Sequence, residues 1–276
     1  KQYAPNNIAP ATGVFRLSMS TLAGFGAWMV VPFAKTFGWQ FAMSSWAIFG
    51  VIAAWIWWLI YRHNRMVNPK LMPTLSSIKS TAHLEKPINL WRKKAAWQMA
   101  VLLGLQSFLF YSLASFLPSI GMAFGATLDE AIRLPFVFQV MAPLAILWLT
   151  WLSRRGTSFQ IISVAGCLLN AVGISVLLMM PSLMLLWSAL MGFGCALVFT
   201  LSLMMFSLRT TSTETARDLS SMVQAVGYSI AMFGPLMIGK LYQWQGDWQL
   251  PLMVLVVLMI INIPFGLWAA NETKIG

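Results

Sequence analysis

Charge is what this sequence has least of. Only 9% of its 276 residues are charged, against about 25% in an ordinary soluble domain, and 59% are hydrophobic. With a mean hydropathy of +0.74, this composition excludes a water-soluble globular domain. Acidic residues number seven, Glu85, Asp129, Glu130, Glu214, Asp218, Asp247 and Glu272, and histidines two, His63 and His83. All of them fall outside the expected spans. The sequence therefore offers no carboxylate or imidazole at membrane depth for a proton relay. An intramembrane hydrolase or acyltransferase would also need a base or metal ligands there. No catalytic residue, cofactor or metal site is expected. His-Glu-x-x-His is absent, and Gly192-Phe-Gly194 lacks both the third glycine of a dinucleotide loop and a strand before it. The two cysteines, Cys167 and Cys195, sit in apolar runs, too few for a disulfide framework or a zinc site, and read as packing residues.

Tryptophan is abundant, with 14 residues, as suits a membrane protein anchored at its interfaces. The net charge of +11 lies between the hydrophobic runs rather than on one basic face, which argues against nucleic acid as a partner and for a lipid bilayer. Spans of about 20 apolar residues suffice to cross a bilayer. Span a is expected at Leu17–Ala34, after a polar loop over residues 1–13. A tight turn at Lys35–Gly38 leads to span b, Phe41–Tyr61. Residues 62–94 form a basic hydrophilic linker, ending in Trp91-Arg-Lys-Lys-Ala-Ala-Trp97, which reads as a short amphipathic helix lying at the interface. Spans c, Ala96–Ala123, and d, Leu134–Leu152, follow, with the basic turn Ser153-Arg-Arg-Gly156 after them. The uncharged run from Gly156 to Leu208 splits at Met180-Pro181-Ser182 into spans e and f. A charged loop over residues 209–218 precedes span g, Leu219–Leu241, and span h, Gln249–Ala270.

Eight spans put both termini on one side. That side collects fifteen Lys and Arg, and the other only three, Lys35, Arg133 and Lys240. Such an excess marks the cytoplasmic face, so both termini and residues 62–94 are expected in the cytoplasm, with the chain multi-pass in the cytoplasmic (inner) membrane. No signal peptide is recognised.

A repeat is visible at an offset of 203 residues. Met19, Gly24 and Pro32 in span a match Met222, Gly227 and Pro235 in span g, with identical spacing. If a and b end one half and g and h end another, six-span halves imply four further spans before Lys1, where the chain begins without a Met. Two such halves joined by a basic linker are the layout of a major-facilitator transporter. The expected fold is thus an all-α membrane protein with eight transmembrane helices. Residues 1–61 end an N-terminal half, 62–94 link, and 95–276 form a six-helix C-terminal half.

Three stretches carry a closer likeness. They are Gly104-Leu-Gln-Ser with Tyr111-Ser112 and Leu117-Pro118; Arg209-Thr210; and Ser221-Met-Val-Gln224-Ala-Val-Gly227-Tyr228 with Gly234-Pro235. On these the chain resembles the cyanate permease and 2-nitroimidazole transporter family of the major facilitator superfamily. Phe116 stands where that family would have Trp, and Ser153-Arg-Arg-Gly156 lacks the acidic partner of the superfamily's charged motif. The resemblance implies twelve helices, alternating access and a small organic substrate, a cyanate-like anion or a nitroimidazole-like molecule. It also implies that the first and fourth helices of each half line the path, here spans c and f, flanked by d and g.

Within span c, Gln106, Ser107, Phe110 and Tyr111 recur at helical spacing and share one face, read as a cavity lining. The expected substrate contacts are Gln106, Ser107 and Tyr111, completed by Gln139 on span d and by Gln224 and Tyr228 on span g. The bland reading is that these side chains bond neighbouring helices. Asn170, Thr200 and Ser202 are lesser candidates, and Gly234-Pro235 reads as a kink. The loop charges Arg209, Glu214, Arg217 and Asp218 read as solvated orientation charges rather than a gate latch. The expectation is a secondary transporter, monomeric when complete. The rivals are a non-transporting truncated remnant or membrane subunit, and, among transporters, multidrug efflux.

Overall fold

The computed structural model describes residues 8–67, 89–271 and 273–274. Most of the linker lies outside the described residues. Nine α-helices are found among those described: α1 (Ile8–Phe37), α2 (Trp39–Ser44), α3 (Ala47–Val67), α4 (Lys94–Ala123), α5 (Leu128–Arg154), α6 (Phe159–Met179), α7 (Met184–Leu208), α8 (Thr213–Gln245) and α9 (Gln249–Ala269). Seven stretches among these residues are long and apolar enough to cross a membrane, the first formed by Trp39–His63 and the others by α4 to α9. The remaining expected span, Leu17–Ala34, lies within α1, where the side chains of residues 8–17 and of several later positions are outside the description.

The helices overrun the expected spans because hydropathy and capping end at different places. Helix α8 begins at Thr213 rather than Leu219, since the Ser212 side chain accepts from the Thr215 backbone N–H and caps it. The charged loop shrinks accordingly to residues 209–212. Helix α5 starts at Leu128 on a capping box in which Thr127 and Glu130 satisfy each other's backbone N–H groups. Asp129, Glu130, Glu214 and Asp218 are therefore helical, near the ends. The expected interfacial helix at Trp91–Trp97 is instead a 3₁₀ turn, Leu90–Arg92, running into the first turn of α4. Span b is broken by a turn at Ser45-Trp46 between α2 and α3, and Gly38, at φ 86°, ends α1 in a conformation few other residues adopt.

The chain divides into two compact units, Lys1–Ala27 with Asn89–Gly276, and Trp28–Ile88. In the smaller unit every side chain of α3 from Ala47 to His63 is exposed, an all-round apolar surface suited to lipid or other helices. The larger unit is a six-helix bundle, α4 to α9, plus the first part of α1. Helix α4 is its centre and packs on α5, α7, α8 and α9.

Small residues set the closest crossings. A Cβ on Gly104 would sit 2.9 Å from Ile230 Cδ1, and one on Gly227 would sit 3.3 Å from the Ala100 carbonyl oxygen, so α4 and α8 touch backbone to backbone. A Cβ on Gly192 of α7 would overlap the carbonyl of Phe138 on α5. Arg209, just past α7, is buried at 5% exposure and closes the end of α9. Its guanidinium donates to the Ala269 carbonyl at 2.6 Å and to the Thr273 carbonyl at 2.9 Å. A cation there complements the negative end of the helix dipole. The expectation that Arg209 is solvated is corrected: it binds the C-terminus of the last helix. Arg217 and Asp218 do form an exposed pair at 3.2 Å.

Candidate functional site

The larger unit contains a partly open cavity of about 610 Å³, mouth included, lined by Met19 and Ala23 of α1 and by residues of α4, α5, α7 and α8. Three helices contribute stripes at helical spacing, Ser107, Phe110 and Tyr111 from α4, Phe138, Gln139 and Ala142 from α5, and Gly192, Cys195, Ala196 and Phe199 from α7, and α8 adds Tyr228. None of these lining residues is charged. Phe110 is central to the aromatic wall, with its ring 5.4 Å from Tyr111 and 5.7 Å from Phe138.

Ser107 is the polar point of this wall. Buried membrane serines ordinarily donate to the carbonyl one turn back, as Ser112 does to Phe108 at 2.7 Å and Ser202 to Val198 at 2.8 Å. Ser107 Oγ is 1% exposed as a residue and has no partner among the described residues. An unpaired buried hydroxyl costs about 1–3 kcal/mol.

Of the six residues expected to contact substrate, Ser107, Tyr111, Gln139 and Tyr228 meet around this cavity. Gln106 does not line it. It is fully buried between helices, where its Oε1 accepts a long bond of 3.5 Å from Asn170 Nδ2 of α6. The reason is angular. At 3.6 residues per turn, Gln106 and Tyr111 stand about 140° apart, and Gln106 holds the edge of the arc furthest from Tyr111. Gln224 also lies outside the lining, and its Nε2 donates to Ser220 Oγ of its own helix at 2.6 Å.

Two residues gain importance. Cys195, expected only to pack, borders the cavity, and its thiol donates to Asn170 Oδ1 at 3.4 Å. Asn170 thus joins α4, α6 and α7 behind the cavity wall. The signal for the α7 stripe was in the sequence: Gly192, Cys195, Ala196 and Phe199 recur at i, i+3, i+4 and i+7. Thr200 is buried with its hydroxyl unpartnered among the described residues, and does not line the cavity.

A bundle of apolar helices around a cavity with no charged lining residue suits a polytopic membrane transporter. No protein-family profile matches the chain. Over 276 residues it is 31% identical to the 2-nitroimidazole transporter of Escherichia coli (strain K12), covering 100% of this chain and 68% of that protein. It is 29% identical over 267 residues to the uncharacterized transporter YycB of Bacillus subtilis (strain 168), covering 95% and 63% respectively. Similarity to the cyanate transport protein CynX of Escherichia coli (strain K12) is 25% over 232 residues, 82% of this chain and 57% of that protein. The chain therefore spans between about half and two thirds of the length of these relatives. It belongs to their transporter family within the major facilitator superfamily, and its relatives are transporters, not enzymes.

Proposed function

We propose that this chain forms the C-terminal part of a secondary transporter that moves a small, planar, uncharged aromatic solute across the cytoplasmic membrane by alternating access. One observation carries the reading: an unpartnered, buried Ser107 hydroxyl set in a wall of Phe110, Tyr111, Phe138, Phe199 and Tyr228. Aromatic walls take ring faces through stacking. The hydroxyl and the Gln139 amide can pair with a ring nitrogen or a nitro or carbonyl oxygen. A nitroimidazole-like molecule fits this chemistry better than a cyanate-like anion, because no cation lines the cavity among the described residues. The name of the Escherichia coli 2-nitroimidazole transporter supports the same choice.

The orientation follows from basic residues. The ends of α4, α5, α7 and α9 that lie near Lys94, Arg154, Arg155, Arg209 and Lys274 form the cytoplasmic side, in keeping with the excess of Lys and Arg there. Access from alternate sides would come from rocking this half against its partner half. Uptake of radiolabelled 2-nitroimidazole by cells producing the complete protein, with cyanate as the comparison, tests the proposal. Saturable nitroimidazole flux that excess cyanate leaves unchanged is expected. Competition by cyanate at equal concentration, or no nitroimidazole flux, would overturn it.

A further inference from the structure

A second concave surface lies on the same bundle and shares no lining residue with the cavity described above. It is an apolar groove between α4, α8 and α9, lined by Phe108, Ile230, Phe233 and Leu258 among others, and bordered by Trp91. The α8 residues that line it run from Ala225 to Met237, twelve residue steps. At 1.5 Å per residue that is about 18 Å, close to the hydrocarbon depth of one leaflet, about 15 Å.

Trp91 is followed by three consecutive cations, Arg92, Lys93 and Lys94, all exposed. None of the three is paired with a carboxylate among the described residues. Trp91 itself is held in place: Trp97 Nε1 donates to its carbonyl at 2.9 Å, and the two rings stand 5.9 Å apart at 65°. Lys94 Nζ lies 5.9 Å from the Trp268 ring centroid, so aromatic rings frame the cations as they do at headgroup level. Arg155, by contrast, stands at the far end of α5 with its guanidinium folded onto the Trp151 ring at 3.8 Å.

We propose that this groove is a binding site for one anionic phospholipid, with an acyl chain along α8 and the headgroup phosphate on Arg92, Lys93 and Lys94. Any lipid wets an apolar wall. What selects here is the run of three cations, none paired with a carboxylate among the described residues, that directly follows the groove residue Trp91, since basic residues beside a membrane span favour anionic headgroups.

The full chain is purified and placed in vesicles containing trace spin-labelled phosphatidylglycerol or phosphatidylcholine, and the motion-restricted fraction is read by electron paramagnetic resonance. Phosphatidylglycerol is expected to be retained about fivefold over phosphatidylcholine, the gain expected from about one unscreened cation. The preference should weaken at 0.5 M added salt, a value chosen to bring the screening length to about 4 Å. Replacing Arg92, Lys93 and Lys94 together by Ala should bring it to about unity, while Arg154→Ala with Arg155→Ala leaves it in place. Ser229→Trp, which fills the groove and keeps the cations, should release the restricted phosphatidylglycerol. Equal retention of the two lipids by the unaltered chain overturns the proposal. So does a preference that survives the triple replacement or the filled groove.

Discussion

The guanidinium of Arg209 and the carbonyl of Ala269, 2.6 Å apart, tie the end of α7 to the end of α9 across sixty residues of sequence. The Ala269 carbonyl is one the last turn of α9 leaves open, and the same guanidinium reaches on to the Thr273 carbonyl and hydroxyl beyond the helix. Arg209→Ala should destabilise the chain by about 2–3 kcal/mol, the range for hydrogen bonds to a charged group plus the exposed carbonyls. Arg209→Lys keeps the charge but not the fork and should recover only part of it. Thermal unfolding in detergent measures both. Equal melting temperatures for Arg209→Ala and the unaltered chain would show the contact to be idle.

Asn170 carries a second test. Replacing it by Leu strands Gln106 Oε1 and the Cys195 thiol together, and should cost about 1–2 kcal/mol, in line with interhelical bonds in membranes. Adding Gln106→Leu removes the stranded amide, so the double variant should be more stable than the sum of the two single changes. Strict additivity in the melting temperatures would mean that the 3.5 Å bond contributes nothing.

Close approach of α5 and α7 leaves no room at Gly192. Gly192→Ala should lower stability by about 1–3 kcal/mol, because the new methyl meets the Phe138 backbone, which cannot turn aside as a side chain could. Gly50 in α3 has nothing within 4 Å of where its Cβ would be. There Ala should be neutral or stabilising by up to about 1 kcal/mol through helix propensity. Comparing melting temperatures of the two variants separates crowding from propensity.

The cavity reading makes a prediction that divides the six sequence candidates. In the complete protein, Ser107→Ala and Tyr111→Phe should each reduce uptake about three- to tenfold at unchanged membrane level, a loss of about 0.7–1.4 kcal/mol in solute binding. Gln224→Ala, whose amide is engaged by Ser220, should change uptake less than twofold. Initial-rate assays normalised to protein in the membrane decide it. A reversed order would move the site away from the cavity.

The order of spans c to h was legible in the sequence because uncharged runs and short basic turns punctuate it. The polar face of α4 was legible too, from the spacing of Ser107, Phe110 and Tyr111. What spacing could not assign was the neighbour each edge of that face meets. Gln106 lies only one residue from Ser107, yet that step turns the side chain by about 100°, from the cavity to the α6 side. Helix ends were misjudged for a different reason. Hydropathy stops where charge begins, whereas α8 and α5 continue to Ser212 and Thr127, whose side chains cap them. Arg209 looked like a solvated charge because its acceptors are the backbone carbonyls of a helix end, which leave no mark in composition.

The uncharged stretch from Gly156 to Leu208 has an electrical consequence. Helices α6 and α7 carry no ionised side chain along their whole length, and in α4, α5 and α8 the ionised groups stand within a few residues of the ends. A membrane voltage does work of about 2.3 kcal/mol per elementary charge moved through 100 mV. Tilting these helices would move almost no charge through the field, so a rocking motion of this bundle would be close to electrically silent. Any voltage dependence of solute movement would then have to come from charges outside these helices, whether in the solute, a co-transported ion or other parts of the complete protein.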